Sequence, residues 1–499
     1  MKFKLTDFYK KETLILYLII LIGIFLRFQG VFSNSFAFTY DVGRDMLAIF
    51  DIANLNKIPL IGATTGLPGV FYGPWWYYML TPFFIIFSGN PQGIAFVMAL
   101  VGVITIIAGY FLGKALGGNF LGLSLAVLIS VSAILISLSS QIWNPNIVPI
   151  FVIFVLLILT KLYKEDKKEK SKYYFLLGLF LSLILDLEIV FGILFFFGIL
   201  ISLVLIKKGQ FKPKEIISFV FGVLVISSPR IIFELRHQFL MTKSFIAFFS
   251  SGGSGESVIG SVFINRINMF YDQFNLSLVL GNKLVGFIVS FFILFSLVYL
   301  YKKSDVVIKK FIKTSIIVIF IFFAGTLFFN HDVWPHYLIG LPVFYVLLFS
   351  ISLLLWTKKV KNLIPMLFLF AIFILNLNPV LLAQDFGKPL WEGDASTYRN
   401  QIAVMDYVYT QANGKSFKYV VYTPGVNDYV YRYLFKWYGP WKYHYAPTVK
   451  VTTAYFILEP DYQDPTRLPD WLKKRSGDGI IIKDVTVKGG IRVQTRLVH

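Results

Sequence analysis

The sequence predicts an all-α polytopic membrane protein of about eleven transmembrane helices plus one interfacial or re-entrant segment, with a small C-terminal α/β extracytoplasmic domain. Three observations lead there. Twelve apolar runs, most near the length of a bilayer crossing, occupy the first 380 residues. Positive charge collects in the short loops between the runs. From about Gln384 the hydropathy falls and strand-like segments replace the apolar runs.

With 57% hydrophobic residues, 53 phenylalanines and a mean hydropathy of +0.70, the chain does not read as a soluble protein. The absence of cysteine removes disulfides and thiolate metal sites. The net charge of +20 would point a soluble protein toward nucleic acid. Here, however, residues 1–12, 161–172, 207–214, 302–313 and 358–361 carry +2, +3, +4, +4 and +3, which is +16 of the +20. Short basic loops mark the cytoplasmic side, so the charge sets topology and predicts no nucleic-acid partner.

In chain order, Lys2, Lys4, Lys10 and Lys11 precede the apolar run 13–31, which lacks a small-residue cleavage site and reads as a retained span. The runs 72–88, 92–113, 119–139 and 146–162 follow, then the basic loop 161–172. An odd number of crossings must separate that loop from residues 32–71 outside. One of the four runs therefore does not span. Residues 72–88 begin Tyr72-Gly73-Pro74-Trp75-Trp76-Tyr77-Tyr78, an aromatic interface element that dips into the membrane and returns. The runs 173–187, 189–206, 215–229, 284–301, 311–329, 338–356 and 362–380 complete the set. This places a multi-pass protein in the cell membrane with its N-terminus cytoplasmic. Residues 1–383 form the membrane module, with outer loops 32–71 and 230–283, and residues 384–499 form an outer cap. Ser250–Ser257 is Gly/Ser-rich and reads as a flexible lid or a plain link.

Within the cap, 396–412 is helix-like, while 418–423, 454–458 and 479–498 are strand-like, the last broken by a Gly489-Gly490 hairpin turn. The aromatic run Tyr429–Tyr438 reads as a face packed on the membrane module in preference to a carbohydrate-stacking surface.

Candidate chemistry gathers at the outer ends of helices, where polar groups are expensive enough to need a purpose. In Tyr40-Asp41-Val42-Gly43-Arg44-Asp45 the spacing puts Asp41, Arg44 and Asp45 on one helical face, able to act on a common ligand. The plainer alternative is a surface helix capped by Asp41. Asp186 and Glu188 occupy a short outer turn, and Asn144 lies in the turn Gln141–Asn146. Arg230, Arg236 and His237, with Lys243 beyond them, form a candidate donor-phosphate cradle, because guanidinium forks match phosphate oxygens; snorkelling anchors are the alternative. Glu234, His331, His336 and Tyr337 are candidate sugar or acceptor contacts. The i, i+5 spacing of His331 and His336 across a proline is poor metal geometry. No Walker loop, dinucleotide fingerprint, Gly-x-Ser-x-Gly elbow or His-Glu-x-x-His motif is present.

The motif at 40–45 and the segments Gly73–Tyr78, Trp143–Asn146, Phe233–His237, Pro335–Tyr337 and Asp428–Tyr438 occur in an order and loop placement that resembles the polytopic GT-C glycosyltransferases. In particular it resembles the bacterial members of glycosyltransferase family 39 and the related aminoarabinose and protein O-mannosyl transferases. The resemblance implies a GT-C fold and transfer of a sugar from a polyprenyl-phosphate-linked donor to a glycan, lipid or protein acceptor on the outer face, with inversion. It also implies that Asp41, matching the first acidic residue of the family's outer-loop motif, activates or orients the acceptor. Two positions depart from that pattern. Val42 stands where many relatives carry a second acid, and Asn144 where many place an aspartate. No cofactor is expected, and a divalent metal, though open, is not favoured. The competing readings are a transporter or flippase of lipid-linked sugars and a non-catalytic envelope-assembly subunit.

Overall fold

The computed structural model describes residues 11–164, 169–250, 259–329, 333–357, 363–383, 394–425, 427–449 and 451–498. The membrane module opens with α1 (Lys11–Phe32), the surface helix α2 (Tyr40–Ala53), α3 (Trp75–Ile86), α4 (Pro91–Gly117), α5 (Asn119–Val131) and α6 (Ala133–Ser139). It continues with α7 (Val148–Leu162), α8 (Ser171–Leu187), α9 (Ile189–Lys207), α10 (Pro213–Arg236), α11 (Leu240–Ser250) and α12 (Ile259–Leu278). It closes with α13 (Lys283–Leu300), α14 (Val306–Leu327), α15 (Leu341–Thr357) and α16 (Leu363–Ala383). Each apolar run of the sequence coincides with helix.

Six described helices are long and apolar enough to cross a bilayer, or seven if α5 and α6, bent by 65°, make one broken span. The count of eleven is therefore finer than helix length supports. Helices α8 and α15 have 17 residues each, and the apolar part of α16 ends at Leu377, all short of the ~20 that a crossing needs. Helix α3, with 12 residues, is about 18 Å long against a ~30 Å hydrocarbon core. At the break between α5 and α6, the buried Arg27 donates from Nη2 to the Ile129 carbonyl at 2.9 Å and from Nη1 to the Ser130 carbonyl at 3.0 Å. Its guanidinium thus satisfies carbonyls that the break releases at the negative end of α5.

The outer stretch 230–283 is more helical than its composition predicts. Helix α10 runs through Pro229 to Arg236, and α11 and α12 occupy much of the remainder. Of the Gly/Ser-rich segment 250–257, only Ser250 lies within the described residues.

The two ends of the bundle differ in chemistry. At one end, Lys207 Nζ donates to Tyr174 Oη at 2.6 Å and sits 3.9 Å from Glu215, while Lys310 Nζ donates to the Tyr163 carbonyl at 3.0 Å. Among the described residues, the basic stretches that follow α7, α9 and α13 therefore share an end. At the other end lie α2, the turn between α8 and α9, the last turn of α10 and the 335–338 turn.

The cap follows as α17 (Tyr398–Ala412), β1 (Lys418–Tyr422), α18 (Tyr429–Tyr438), β2 (Thr453–Leu458), α19 (Arg467–Lys474), β3 (Ile480–Thr486) and β4 (Arg492–Leu497). Its sheet has the order β1-β2-β4-β3, with β1 parallel to β2 and the other pairs antiparallel. Gly489 and Gly490 make the hairpin turn at φ of 73° and 70°, a region that glycine adopts without strain. The aromatic run is α18, and it is a packing face. Trp437 Nε1 donates to the Ser88 carbonyl at 2.6 Å, Tyr433 Oη donates to the Gly89 carbonyl, and Tyr429 stacks on Tyr40 of α2. Gly43 of α2 lies so close to this helix that a Cβ there would fall 2.5 Å from the Val430 nitrogen.

Candidate active site

Helix α2 begins after Thr39. Asp41 is therefore a first-turn residue, and its carboxylate meets Arg44 Nη1 at 2.7 Å. The same guanidinium reaches Asp45 from Nη2 at 2.8 Å and from Nε at 3.0 Å. The i, i+3 and i, i+4 spacing brings all three groups together, as the sequence predicts, with Arg44 shared by both acids. Their environments differ. Asp45 is buried and also accepts from Trp76 Nε1 at 2.9 Å and Tyr77 Oη at 3.1 Å, whereas the Asp41 side chain keeps 32% of its surface exposed. Burial raises the Asp45 carboxyl above the usual aspartate range, with Arg44 opposing the shift. Asp45 thereby anchors α2 on α3, while Asp41 stays partly exposed beside Arg44.

Behind Asp41 stands Tyr72, just ahead of α3. Its hydroxyl donates to Glu188 Oε2 at 3.1 Å. Burial and the adjacent Glu188 raise the Tyr72 phenol, and the charge of Asp41 adds to the effect, so the two outer acids flank one tyrosine. Glu188 occupies the turn between α8 and α9 and is 1% exposed. Burial pushes its carboxyl up to about 8.

Two residues earlier, Asp186 joins three segments. Its backbone carbonyl accepts from Gly73 N at 3.0 Å, its Oδ2 accepts from Trp75 N at 3.2 Å, and its Oδ1 lies 3.1 Å from Arg230 Nε of α10. Gly73 is obligatory at this approach, since a Cβ would overlap the Asp186 carboxylate. Asn144 is buried and donates to the Leu187 carbonyl at 2.5 Å, fixing the 144–147 turn against the end of α8.

Two cavities adjoin this cluster. A chamber of about 660 Å³ is lined by Tyr72, Trp143, Glu188, Trp334, His336 and Tyr337 together with aliphatic and phenylalanine side chains of α9, α11 and the end of α14. His336 packs edge-on to Trp143 at 5.0 Å, and burial lowers its imidazole to about 4, so the ring is neutral at physiological pH. Burial, with Glu188 nearby, raises Tyr337 to about 12. A second, more open groove of about 490 Å³ is lined by Arg230, Glu234, Ser227 and apolar residues of α8 to α11. Val70, Ile189, Ile193 and Phe245 line both, so the two spaces are lobes on either side of one thin partition.

The candidate residues thus divide. Glu188, His336 and Tyr337 line the chamber; Arg230 and Glu234 line the groove; Asp41, Arg44, Asp45 and Asn144 line neither. Glu234 already accepts from Met241 N at 2.8 Å and from Thr242 N and Oγ1 at 3.0 and 2.5 Å, which caps the first turn of α11. Arg236, His237 and Lys243 are exposed and line neither space. Their placement does not make a cradle with Arg230. His237 instead stacks on Phe233 with ring centroids 4.0 Å apart and contacts its carbonyl through Nδ1 at 2.9 Å. His331 lies outside the described residues. Among the described residues no three His, Asp or Glu side chains are grouped as a metal ion would require. Tyr72, Trp143 and Trp334 are site residues that single-residue reading passes over, because an aromatic in an aromatic-rich chain carries no signal of its own.

Residues 72–233 match the model of the family described as dolichyl-phosphate-mannose-protein mannosyltransferase. No curated protein matches the sequence. Among solved structures, the chain is similar to ArnT from Cupriavidus metallidurans bound to undecaprenyl phosphate, with 12% identity, a TM-score of 0.58, and coverage of 96% of this chain and 97% of that one. The apo state of the same protein matches with 11% identity, the same TM-score of 0.58 and the same coverage, 96% and 97%. The Archaeoglobus fulgidus oligosaccharyltransferase in complex with zinc and sulfate matches with 13% identity, a TM-score of 0.45, and coverage of 82% of this chain and 60% of that one.

Proposed function

We propose, from the premise that the chain is a membrane glycosyltransferase of the GT-C superfamily, that it moves a sugar from a polyprenyl-phosphate carrier to an acceptor hydroxyl on the outer face of the cell membrane. The observation that carries this reading is the pair of lobes. A largely covered guanidinium at an apolar groove suits the phosphate of a lipid, and the adjoining aromatic-walled chamber suits the sugar ring attached to it. ArnT, with the same fold, holds undecaprenyl phosphate.

In this reading the polyprenyl tail lies in the groove between α10 and α11 and its phosphate meets Arg230. The acceptor hydroxyl approaches the anomeric carbon from the side opposite the phosphate. Its oxygen bonds to that carbon as the carbon–oxygen bond to phosphate breaks, and the electron pair leaves with the phosphate. The acceptor proton passes to Asp41, the exposed acid of the α2 cluster, and a single displacement inverts the anomeric centre. Arg230 stabilises the charge that grows on the departing phosphate. In this reading the end of the bundle that carries the basic loops is cytoplasmic, by the rule that short basic loops stay inside, and the cap and both lobes face outward.

The test is transfer of radiolabelled sugar from synthetic polyprenyl-phosphate sugars by the purified protein in liposomes. Label should reach an added acceptor in the wild type and not in Asp41→Asn. A flippase would instead move intact donor lipid between leaflets without breaking the sugar–phosphate bond.

A further inference from the structure

Among the described residues the chamber is lined by one carboxyl and no cation. Among its lining residues there is no lysine or arginine, and the imidazole of His336 is neutral. The nearby guanidinium, Arg230, lines the other lobe and is turned to Asp186. The groups that face Glu188 are the hydroxyl of Tyr72 from the segment before α3, the backbone N–H of Val190 in the first turn of α9 and, from the 335–338 turn, Tyr337 beside His336; Asp186 lies on its own side of the turn. An ionised carboxylate here would have two hydrogen-bond donors but no counter-charge against apolar walls, and burial outweighs the donors enough to favour the protonated form. The upward shift of Glu188 agrees with that geometry.

We propose that Glu188 is a specificity-determining residue that works as a neutral acid. Tyr72 donates to Oε2, and the proton on Oε1 donates to a hydroxyl or ring oxygen of the sugar in the chamber. A neutral acid in a chamber without cations accepts an uncharged, hydroxylated sugar and rejects one that carries a carboxylate, because a second buried anion would find no partner. This rests on the reading of the chamber as the donor sugar's site, and it names the class of sugar that fits.

The experiment measures binding and transfer separately. Trp143 and Trp334 in the chamber wall provide a fluorescence signal for titration with three probes, namely bare polyprenyl phosphate, its neutral hexose or pentose derivative, and its uronic-acid derivative. Wild type should bind the neutral derivative about tenfold tighter than bare polyprenyl phosphate, the scale of a hydrogen bond between uncharged groups. It should show no such gain for the uronic derivative. Glu188→Gln, which keeps a neutral donor of similar shape, should retain most of the gain, and Glu188→Ala should abolish it while binding of bare polyprenyl phosphate stays unchanged. If Glu188→Gln loses the gain as fully as alanine, or if the uronic derivative binds as well as the neutral one, the proposal is overturned. A derivative with an amino sugar that binds tightest and depends on the carboxylate would overturn it as well, by showing that Glu188 is ionised against a cation. Absence of transfer with intact binding preferences would remove the proposed reaction but leave this assignment standing.

Discussion

Arg230 Nε and Asp186 Oδ1 lie 3.1 Å apart, yet neither atom completes a hydrogen bond with the other or with any described residue. The pair is close enough to neutralise its charges and too poorly aligned to lock the guanidinium. Replacing Asp186 with asparagine should therefore leave a buried cation without its counter-charge and destabilise the protein by about 3–5 kcal/mol, the scale for breaking one side of a buried pair. Denaturation of Asp186→Asn, Arg230→Met and the double variant gives the check. The double variant should be less damaged than the two single losses added together.

For the donor phosphate, Arg230→Lys should raise the donor KM about tenfold with a smaller change in kcat, since an ammonium keeps the charge but not the planar fork. Arg236→Ala and Lys243→Ala should each stay within about threefold of wild type, as surface substitutions away from both lobes generally do. A large loss from either exposed residue alone would move the phosphate site out of the groove.

Removal of the Asp41 carboxylate should lower transfer by about 100-fold or more, the lower bound of what general-base assistance typically contributes. Asp51→Asn is the matched control, because Asp51 lies on the same helix and makes only a half-exposed pair with Lys436 at 3.0 Å. Equal losses from Asp41→Asn and Asp51→Asn would mark the effect as one on α2 and not on the chemistry.

Stability should fall as pH rises from the ordinary glutamate range toward about 8, because Glu188 is held protonated in the fold up to about 8 while the unfolded chain releases that proton near its ordinary value of 4.5. The folded state binds more protons across that window, so each step up in pH favours unfolding; below the window the penalty is absent. His336, lowered to about 4, acts in the opposite direction and only between its usual range and about 4, where stability is lost as pH falls. Thermal melts of wild type and Glu188→Gln from pH 6.5 to 8.5 separate the two, since the glutamine form should lose this slope.

At the cap, Gly43→Ala should destabilise the contact between α2 and α18 by about 1–3 kcal/mol, the usual range for overpacking. The added Cβ would meet the backbone of Tyr429 and Val430 at 2.5 to 2.8 Å, so α18 must move. Limited proteolysis should then cut between the membrane module and the cap at lower protease concentration.

The legible parts of this molecule are those written in local pattern. Apolar runs and the Gly489-Gly490 turn each depend on a few adjacent residues, and both coincide with elements of the structure. The i, i+3 and i, i+4 spacing of Asp41, Arg44 and Asp45 correctly implies one face. It does not reveal that Trp76 and Tyr77 bury one of the acids, because those partners are 31 and 32 residues away. Glu188 is visible as a polar residue in an outer turn, but the tyrosine that holds it is 116 residues earlier. Arg236 and Lys243 show the reverse: chosen by charge, they line neither lobe. The inward face of α10 is set by Ile226, Arg230 and Phe233 at i, i+4 and i+7, and Arg236 falls off that face. Pro469 inside Arg467–Lys474 breaks the periodic pattern and hides α19 from sequence reading.

The seating of α18 on α2 has a consequence for biosynthesis. Asp41 is made early, but the helix that carries it is held by Tyr429 and Val430, synthesised nearly four hundred residues later. A ribosome-bound chain that has already inserted its first helices therefore has the acid without its brace. The α2 helix is therefore braced only once the cap has folded back onto it.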